Sequence, residues 1–164
     1  MEITFKQSLN IKNFQTLIKA LDEDFGKPFK DTMEIWCDTS RKFDTYSYWE
    51  VYLIKMGRKT VGVCGLYNLK SMKDALWLGW FGIIPELRSK GIGEQVLTYL
   101  EAQCKEQGVS RLMSYVDQHG KPLKFYERNG FKVIGRVDAV VQQLGLDINE
   151  FEHPNDFVIE KILS

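Results

Sequence analysis

From Leu76 to Leu97 the chain reads LWLGWFGIIPELRSKGIGEQVL, and no other stretch constrains the fold as tightly. Apolar, aromatic and glycine residues run to Ile84, and Pro85 interrupts them. A charged turn with two closely spaced glycines follows, then an amphipathic run. The order reads as strand, turn and helix. Amides freed by such a turn and the positive end of the helix macrodipole converge on one place. The natural occupant is an anion, and a phosphate-bearing ligand above all.

Size and charge limit what else is open. A chain of 164 residues reads as one domain, 1–164, able to bury a core without disulfides or metals. Basic and acidic residues balance at 22 each, which removes a global drive toward nucleic acid or an anionic membrane. Cys37, Cys64 and Cys104 form no C-x-x-C pair, and His119 and His153 stand apart. No metal site or disulfide framework is expected, and a reducing, cytoplasmic setting fits. The start, MEITFKQSLN, carries neither a basic leader nor a long apolar stretch, so neither secretion nor a membrane span is expected.

Taken in order, Ile3 to Phe5 reads as a short strand. A helix capped by Ser8 or Asn10 follows, with Ile11, Phe14, Leu17, Ile18 and Leu21 at helical spacing, ended by Gly26 and Pro28. A second, shorter helix is expected from about Phe29 to Cys37. Six acids between Asp22 and Asp38 (Asp22, Glu23, Asp24, Asp31, Glu34 and Asp38) face only Lys27 and Lys30, and read first as a solvated surface. Their sharper reading is a field for a cationic amine. Tyr46 to Met56 and Thr60 to Leu69 read as a hairpin about Gly57-Arg58-Lys59, and with the opening strand they make a meander. Then come a helix from Gln95 to Glu106, a strand from Arg111 to Val116 and a short helix from Leu123 to Arg128 entered through Pro122. Phe131 to Val141 reads as strand, Gln142 to Asp156 as loop and Phe157 to Leu163 as the last strand. The class is α+β, a mixed and mostly antiparallel sheet of six to seven strands flanked by about four helices.

Two nucleotide motifs fail at the glycine turn. No G-x-x-x-x-G-K-[ST] is present, and a third Rossmann glycine would fall where Val96 stands. Arg88-Ser89-Lys90-Gly91-Ile92-Gly93 instead resembles the R/Q-x-x-G-x-G/A signature of the GNAT N-acetyltransferase superfamily. Tyr126, 33 residues beyond Gly93 in FYERNGF, resembles that superfamily's Y-x-x-x-G-F segment. The likeness in element order covers essentially the whole chain.

The resemblance implies acetyl-CoA as co-substrate, with no metal. It places the pyrophosphate against Arg88, Ser89, Lys90, Gly91, Ile92, Gly93 and Glu94, and the thioester beside the strand amides of Phe81, Gly82 and Ile83. Gly91 and Gly93 lack a Cβ, so backbone can approach a ligand and take positive φ; Arg88 and Lys90 add local charge. Gly79 and Gly82 suit an irregular strand. Tyr126 is implied as the acid for the leaving thiolate. A phenol near pKa ~10 giving its proton to a thiolate near ~8.5 is uphill by only ~2 kcal/mol. Glu50 is the first candidate for the base that deprotonates the amine and Asp117 the second, although an exposed alternate position on a strand is the simpler reading of Glu50. Similar proteins carry asparagine and alanine where this chain has His119 and Pro122, so His119 takes the place of a contact to the cofactor arm.

The implied activity is acetyl transfer to a primary amine of a small molecule or peptide by direct attack. The alternative is a non-catalytic acyl-CoA sensor or interaction module. The acceptor pocket is expected from the first two helices and from the Gln142 to Asp156 loop with Phe151, Glu152 and His153, and the acids suggest a cationic amine. No nucleic acid or membrane partner is expected, and a homodimer stays open.

Overall fold

The computed structural model describes residues 2–38, 40, 46–151 and 153–164, with the side chains of residues 22–26, 47 and 150 outside the description. Among these residues seven strands stand in the order β1-β2-β3-β4-β5-β7-β6. The chain divides into two compact units, Met1–Tyr67 with Leu78–Leu100, and Asn68–Trp77 with Glu101–Ser164. Their boundaries fall inside β4 (Ala75–Ile83) and inside α3 (Ile92–Glu106).

The first unit begins with β1 (Thr4–Gln7), antiparallel to β2 (Tyr46–Met56) with Phe5 opposite Ile54. Asn10 caps the next segment through its side-chain oxygen, which accepts from the Lys12 amide. That segment is a single 3-10 turn, Ile11–Phe14, continued by α1 (Gln15–Ala20). The expected stop at Gly26 and Pro28 does not occur. Instead α2 runs unbroken over Asp22–Cys37 with Pro28 inside it. An interior proline costs roughly 3 kcal/mol through the lost donor and the ring clash. Phe29, Met33 and Trp36, spaced along one side, are all buried. At roughly 1.5–3 kcal/mol for each large side chain, their burial outweighs the break.

β2 and β3 (Lys59–Leu69) meet at Gly57, whose φ of +60° suits the first position of a type II′ turn. Trp36 then sets the packing of this sheet. A Cβ on Gly79 would lie 2.7 Å from its indole and one on Gly65 would lie 3.3 Å away, so two glycines floor the ring. Tyr46 and Tyr67 stand edge-on to it at 6.5 and 5.8 Å. On the other face a Cβ at Gly62 would meet the Gly82 carbonyl at 2.5 Å and the Ile83 side chain at 2.8 Å.

The second unit holds the start of β4, which pairs in parallel with β5 (Arg111–Val116) over a three-residue ladder, Ala75 opposite Arg111 to Trp77 opposite Met113. β7 (Phe157–Ile162) inserts antiparallel between β5 and β6 (Lys132–Arg136). The Arg111 guanidinium reaches the Glu160 carboxylate from Nη2 at 2.6 Å and Nε at 3.1 Å, joining β5 to β7. Between β5 and β6 lies α4 (Lys121–Arg128) with Pro122 in its first turn, as expected.

The strand expected over Phe131 to Val141 stops at Arg136. Val137–Val140 is a helical turn, α5, because Val137, Val140 and Val141 are buried at helical spacing. Its first amides donate to the Asp156 and Pro154 carbonyls at 2.9 and 3.0 Å. Among the described residues five α-helices stand, in keeping with the expected α+β class of about four helices. The following loop is pinned by Phe151, which packs against Trp77 and Tyr115 at 5.9 and 5.1 Å between ring centres.

Val116 faces Phe157 in the β5–β7 register, and Asp117 and Asp156 are the residues that flank this pair in the chain. Burial first, and then the Asp117 charge, push the Asp156 carboxyl above its ordinary value, against the pull of His153.

Two outcomes follow. Gly62→Ala drives a methyl into a backbone carbonyl that cannot turn away, and is expected to cost about 2–3 kcal/mol in urea unfolding. A carboxyl with a raised folded pKa favours the fold below the ordinary carboxylate range near ~3.9 and loses that contribution as pH rises through the folded value. Asp156→Asn should therefore melt above the parent protein at neutral pH, with the gap closing toward pH ~3.

Candidate functional site

The glycine turn lies within the first unit. β4 ends at Ile83, and the Ile84 amide donates to the Val61 carbonyl of β3 at 2.9 Å. Pro85–Leu87 forms one 3-10 turn, closed by Leu87 onto the Ile84 carbonyl and by Arg88 onto the Pro85 carbonyl. Beyond it Ser89 takes φ +60° and Gly91 takes φ +79°. Lys90 between them is not among the positive-φ residues, so the sign of φ alternates along the turn. Successive amides in such an alternation turn inward and form a concave nest for an anion.

α3 begins at Ile92, three residues ahead of the expected Gln95, so Ile92, Gly93 and Glu94 are its first turn. Their amides have no acceptor inside the helix, and the first helical bond runs from Gln95 to Gly91 at 3.4 Å. Seven expected residues, Arg88 to Glu94, are thereby brought to one turn. Of the two glycines only Gly91 uses positive φ. Gly93 is helical, and Ser89 takes the second left-handed place. Nothing in a serine marks that conformation in advance, since the residues that visit it readily are glycine, asparagine and aspartate.

Phe81, Gly82 and Ile83 close β4 immediately before this turn. The strand is irregular there, as its glycines suggested. Gly79 faces Trp36 of α2, and the next residue, Trp80, also reaches α2, its ring 5.2 Å from that of Phe29. Ile83, four residues beyond Gly79, faces Gly62 and Ile54 on the other side of the sheet. A regular pleat puts neighbours on opposite faces and residues four apart on the same face. Both relations are broken between Gly79 and Ile83, so the alternation of β4 is irregular there.

Glu50 lies on β2, its carbonyl 3.0 Å from where a Cβ on Gly65 would sit. Gly65 in turn abuts Gly79, so Glu50 stands level with the middle of β4 rather than with the turn. Its carboxylate accepts the Tyr52 hydroxyl. Burial first, and then this carboxylate, hold the Tyr52 phenol far above its usual range, so it stays a donor. Tyr99 packs edge-on to Tyr52 and stacks on Phe5.

Tyr126 and His119 belong to the second unit. Tyr126 is buried in α4, its ring edge-on to Phe125 at 5.3 Å and Phe131 at 5.2 Å. Its carbonyl accepts the Asn129 and Phe131 amides, which end the helix. His119 sits in the turn before α4, where its amide donates to Asp117 Oδ1 at 2.7 Å.

Asp31 and Glu34 lie on the exposed side of α2. Lys27 pairs with Asp31 at 3.0 Å and Lys30 approaches Glu34 at 3.9 Å, while Asp38 accepts from Ser40. Asp31, Glu34, Ile35 and Asp38 line a shallow, open depression. The side chains of Asp22, Glu23 and Asp24, and all of Glu152, fall outside the described residues. Among the described residues no cluster of three or more His, Cys, Asp or Glu could hold a metal ion, and no helix is long and apolar enough to cross a membrane.

No curated protein matches the chain in sequence. Solved structures do match in fold. An acetyltransferase of the GNAT family from Staphylococcus aureus Mu50 superposes with TM-score 0.71 at 20% identity, covering 99% of this chain and 100% of that one. The PaiA N-acetyltransferase from Thermoplasma acidophilum, solved in complex with coenzyme A, gives 0.64 at 17% identity over 99% of each chain. The ribosomal-protein-S18-alanine N-acetyltransferase from Escherichia coli gives 0.68 at 14% identity over 99% of this chain and 95% of that one. The sequence model of the acetyltransferase (GNAT) family matches residues 14–131, most of the chain and the whole glycine turn, and the chain belongs to that family.

Proposed function

We propose that residues 1–164 act as one acetyl-CoA-dependent N-acetyltransferase domain, moving the acetyl group to a primary amine of a small molecule or peptide by direct attack. The observation that carries this reading is the alternation of Ser89 and Gly91 about Lys90 ahead of α3. It makes a backbone nest suited to a pyrophosphate in a chain with no net charge to attract one. The relative from Thermoplasma acidophilum, of the same fold, was solved with coenzyme A.

The amine nitrogen attacks the thioester carbonyl carbon, and the strand amides from Phe81 to Ile83 are assigned to the oxygen that gains charge. The carbon–sulfur bond then breaks, and the leaving thiolate takes the proton of the Tyr126 phenol. The proton lost by the amine passes to Glu50, whose carboxylate the Tyr52 hydroxyl orients, by way of water. His119 is assigned to the cofactor arm. Direct attack, without an acetyl-enzyme, fits the state of the cysteines. Burial raises the Cys37 thiol, pushes the Cys104 thiol up to about 12 with help from Glu101, and lifts Cys64 further still. A buried thiol held protonated is a poor nucleophile.

Calorimetry with coenzyme A and a thiol-release assay with acetyl-CoA against an amine panel test the reading together. Binding with amine-dependent release is expected. Binding with no release for any amine leaves an acyl-CoA-binding module, and no binding removes both. Tyr126→Phe keeps the packing against Phe125 and Phe131, so kcat should fall about 100-fold with coenzyme A affinity retained; full turnover would take the acid role from Tyr126. Glu50→Gln should lower kcat by a similar factor, ~100-fold, and leave the dissociation constant of coenzyme A in place.

A further inference from the structure

On sequence alone Arg88 is a positive charge beside a phosphate turn. The structure gives it a second occupation. Its guanidinium Nε donates to the Ile83 carbonyl at 2.9 Å. That carbonyl belongs to the peptide whose other end, the Ile84 amide, donates to Val61, also at 2.9 Å. The peptide that terminates β4 is thus clamped from both sides, by the neighbouring strand and by the first residue of the motif. Between the clamp and Arg88 the chain has length for one 3-10 turn only, closed at 3.0 Å by Leu87 and 3.2 Å by Arg88. The next residue is Ser89 at φ +60°, a conformation a serine holds only when its surroundings impose it.

We propose that Arg88 is a positioning residue for the anion turn: its Nε–H bond to Ile83 sets where the turn leaves the strand, so that Ser89 and Gly91 hold their left-handed conformations and the amides of the turn converge. The charge of Arg88 is secondary to that bond. The inference rests on the reading of the turn as the coenzyme A pyrophosphate site.

Side-chain chemistry separates bond from charge. Along arginine the fourth atom from Cα is Nε, a donor. Along glutamine the fourth position holds Nε2, also a donor, without charge. Along lysine it is a methylene, and the ammonium lies one bond further on. Glutamine therefore keeps the clamp and loses the cation, whereas lysine keeps the cation and loses the clamp.

The experiment titrates the full chain, as wild type, Arg88→Gln, Arg88→Lys and Arg88→Ala, with coenzyme A by calorimetry at low and high salt. Amide hydrogen exchange over residues 83–94 is followed in the ligand-free proteins. Arg88→Lys and Arg88→Ala should each weaken binding about tenfold or more, and Arg88→Gln clearly less than either. The Arg88→Gln protein should keep most of the wild-type salt dependence. Exchange in the turn should quicken for lysine and alanine and stay close to wild type for glutamine. Lysine binding as well as wild type while glutamine fails would overturn the proposal, and so would equal exchange in all four proteins. If wild type binds no coenzyme A, the ligand assignment falls, and the exchange arm still decides whether Arg88 positions the turn.

Discussion

The hydrogen bond from the Ile84 amide to the Val61 carbonyl is the point on which the site depends. Upstream of it the backbone is strand; downstream it is free to turn. A bond of this kind contributes only about 1 kcal/mol net, so its weight comes from where it stands. β3 and β4 approach so closely beside it that Gly62 has no room for a methyl, with the Gly82 carbonyl and the Ile54 and Ile83 side chains around the vacant position. Packing without slack transmits position rather than absorbing it. The left-handed serine of the turn can persist because the strand before it and the helix after it are both fixed.

The irregularity of β4 has the same origin in packing. A flat strand would point Gly79 and Trp80 to opposite faces, and Trp80 would then be lost to Phe29. The broken alternation gives both residues to α2. Glycine at 65 and 79 makes the sheet locally low enough to seat the Trp36 indole, and the tyrosines at 46 and 67 close around it. Aromatic burial here also holds α2 helical through Pro28. Two unfavourable backbone features, a glycine-weakened strand and a proline inside a helix, are offset by one aromatic cluster.

Local pattern in the sequence reaches as far as local physics does. β2 and β5 run over the residues their β-branched and aromatic content suggested, Tyr46 to Met56 and Arg111 to Val116, and the hairpin turn at Gly57 follows from its glycine. The turn from Arg88 to Glu94 was legible because glycine spacing, cations and the flanking elements agree. Illegible features depend on partners far away in sequence. Val137 to Val141 looks like strand by residue type, and only the Pro154 and Asp156 carbonyls reveal the helical turn. Pro28 looks like a stop until Phe29, Met33 and Trp36 are seen buried. The insertion of β7 between β5 and β6 is a pairing across more than forty residues of chain, with no local mark at all.

The distribution of charge bears on how such a site would select its ligands. The turn offers backbone amides first and cations second, and amides fixed by the fold need no rearrangement when an anion arrives. The acids of α2 are arranged otherwise. Asp31 and Glu34 each have a lysine one helical turn earlier, and exposed pairs of this kind neutralise one another's field while adding little to stability. Among the described residues, the buried side of α2 carries Phe29, Met33 and Trp36. Among the described residues, α2 therefore lends less support to selection of a cationic amine than its count of acids implied.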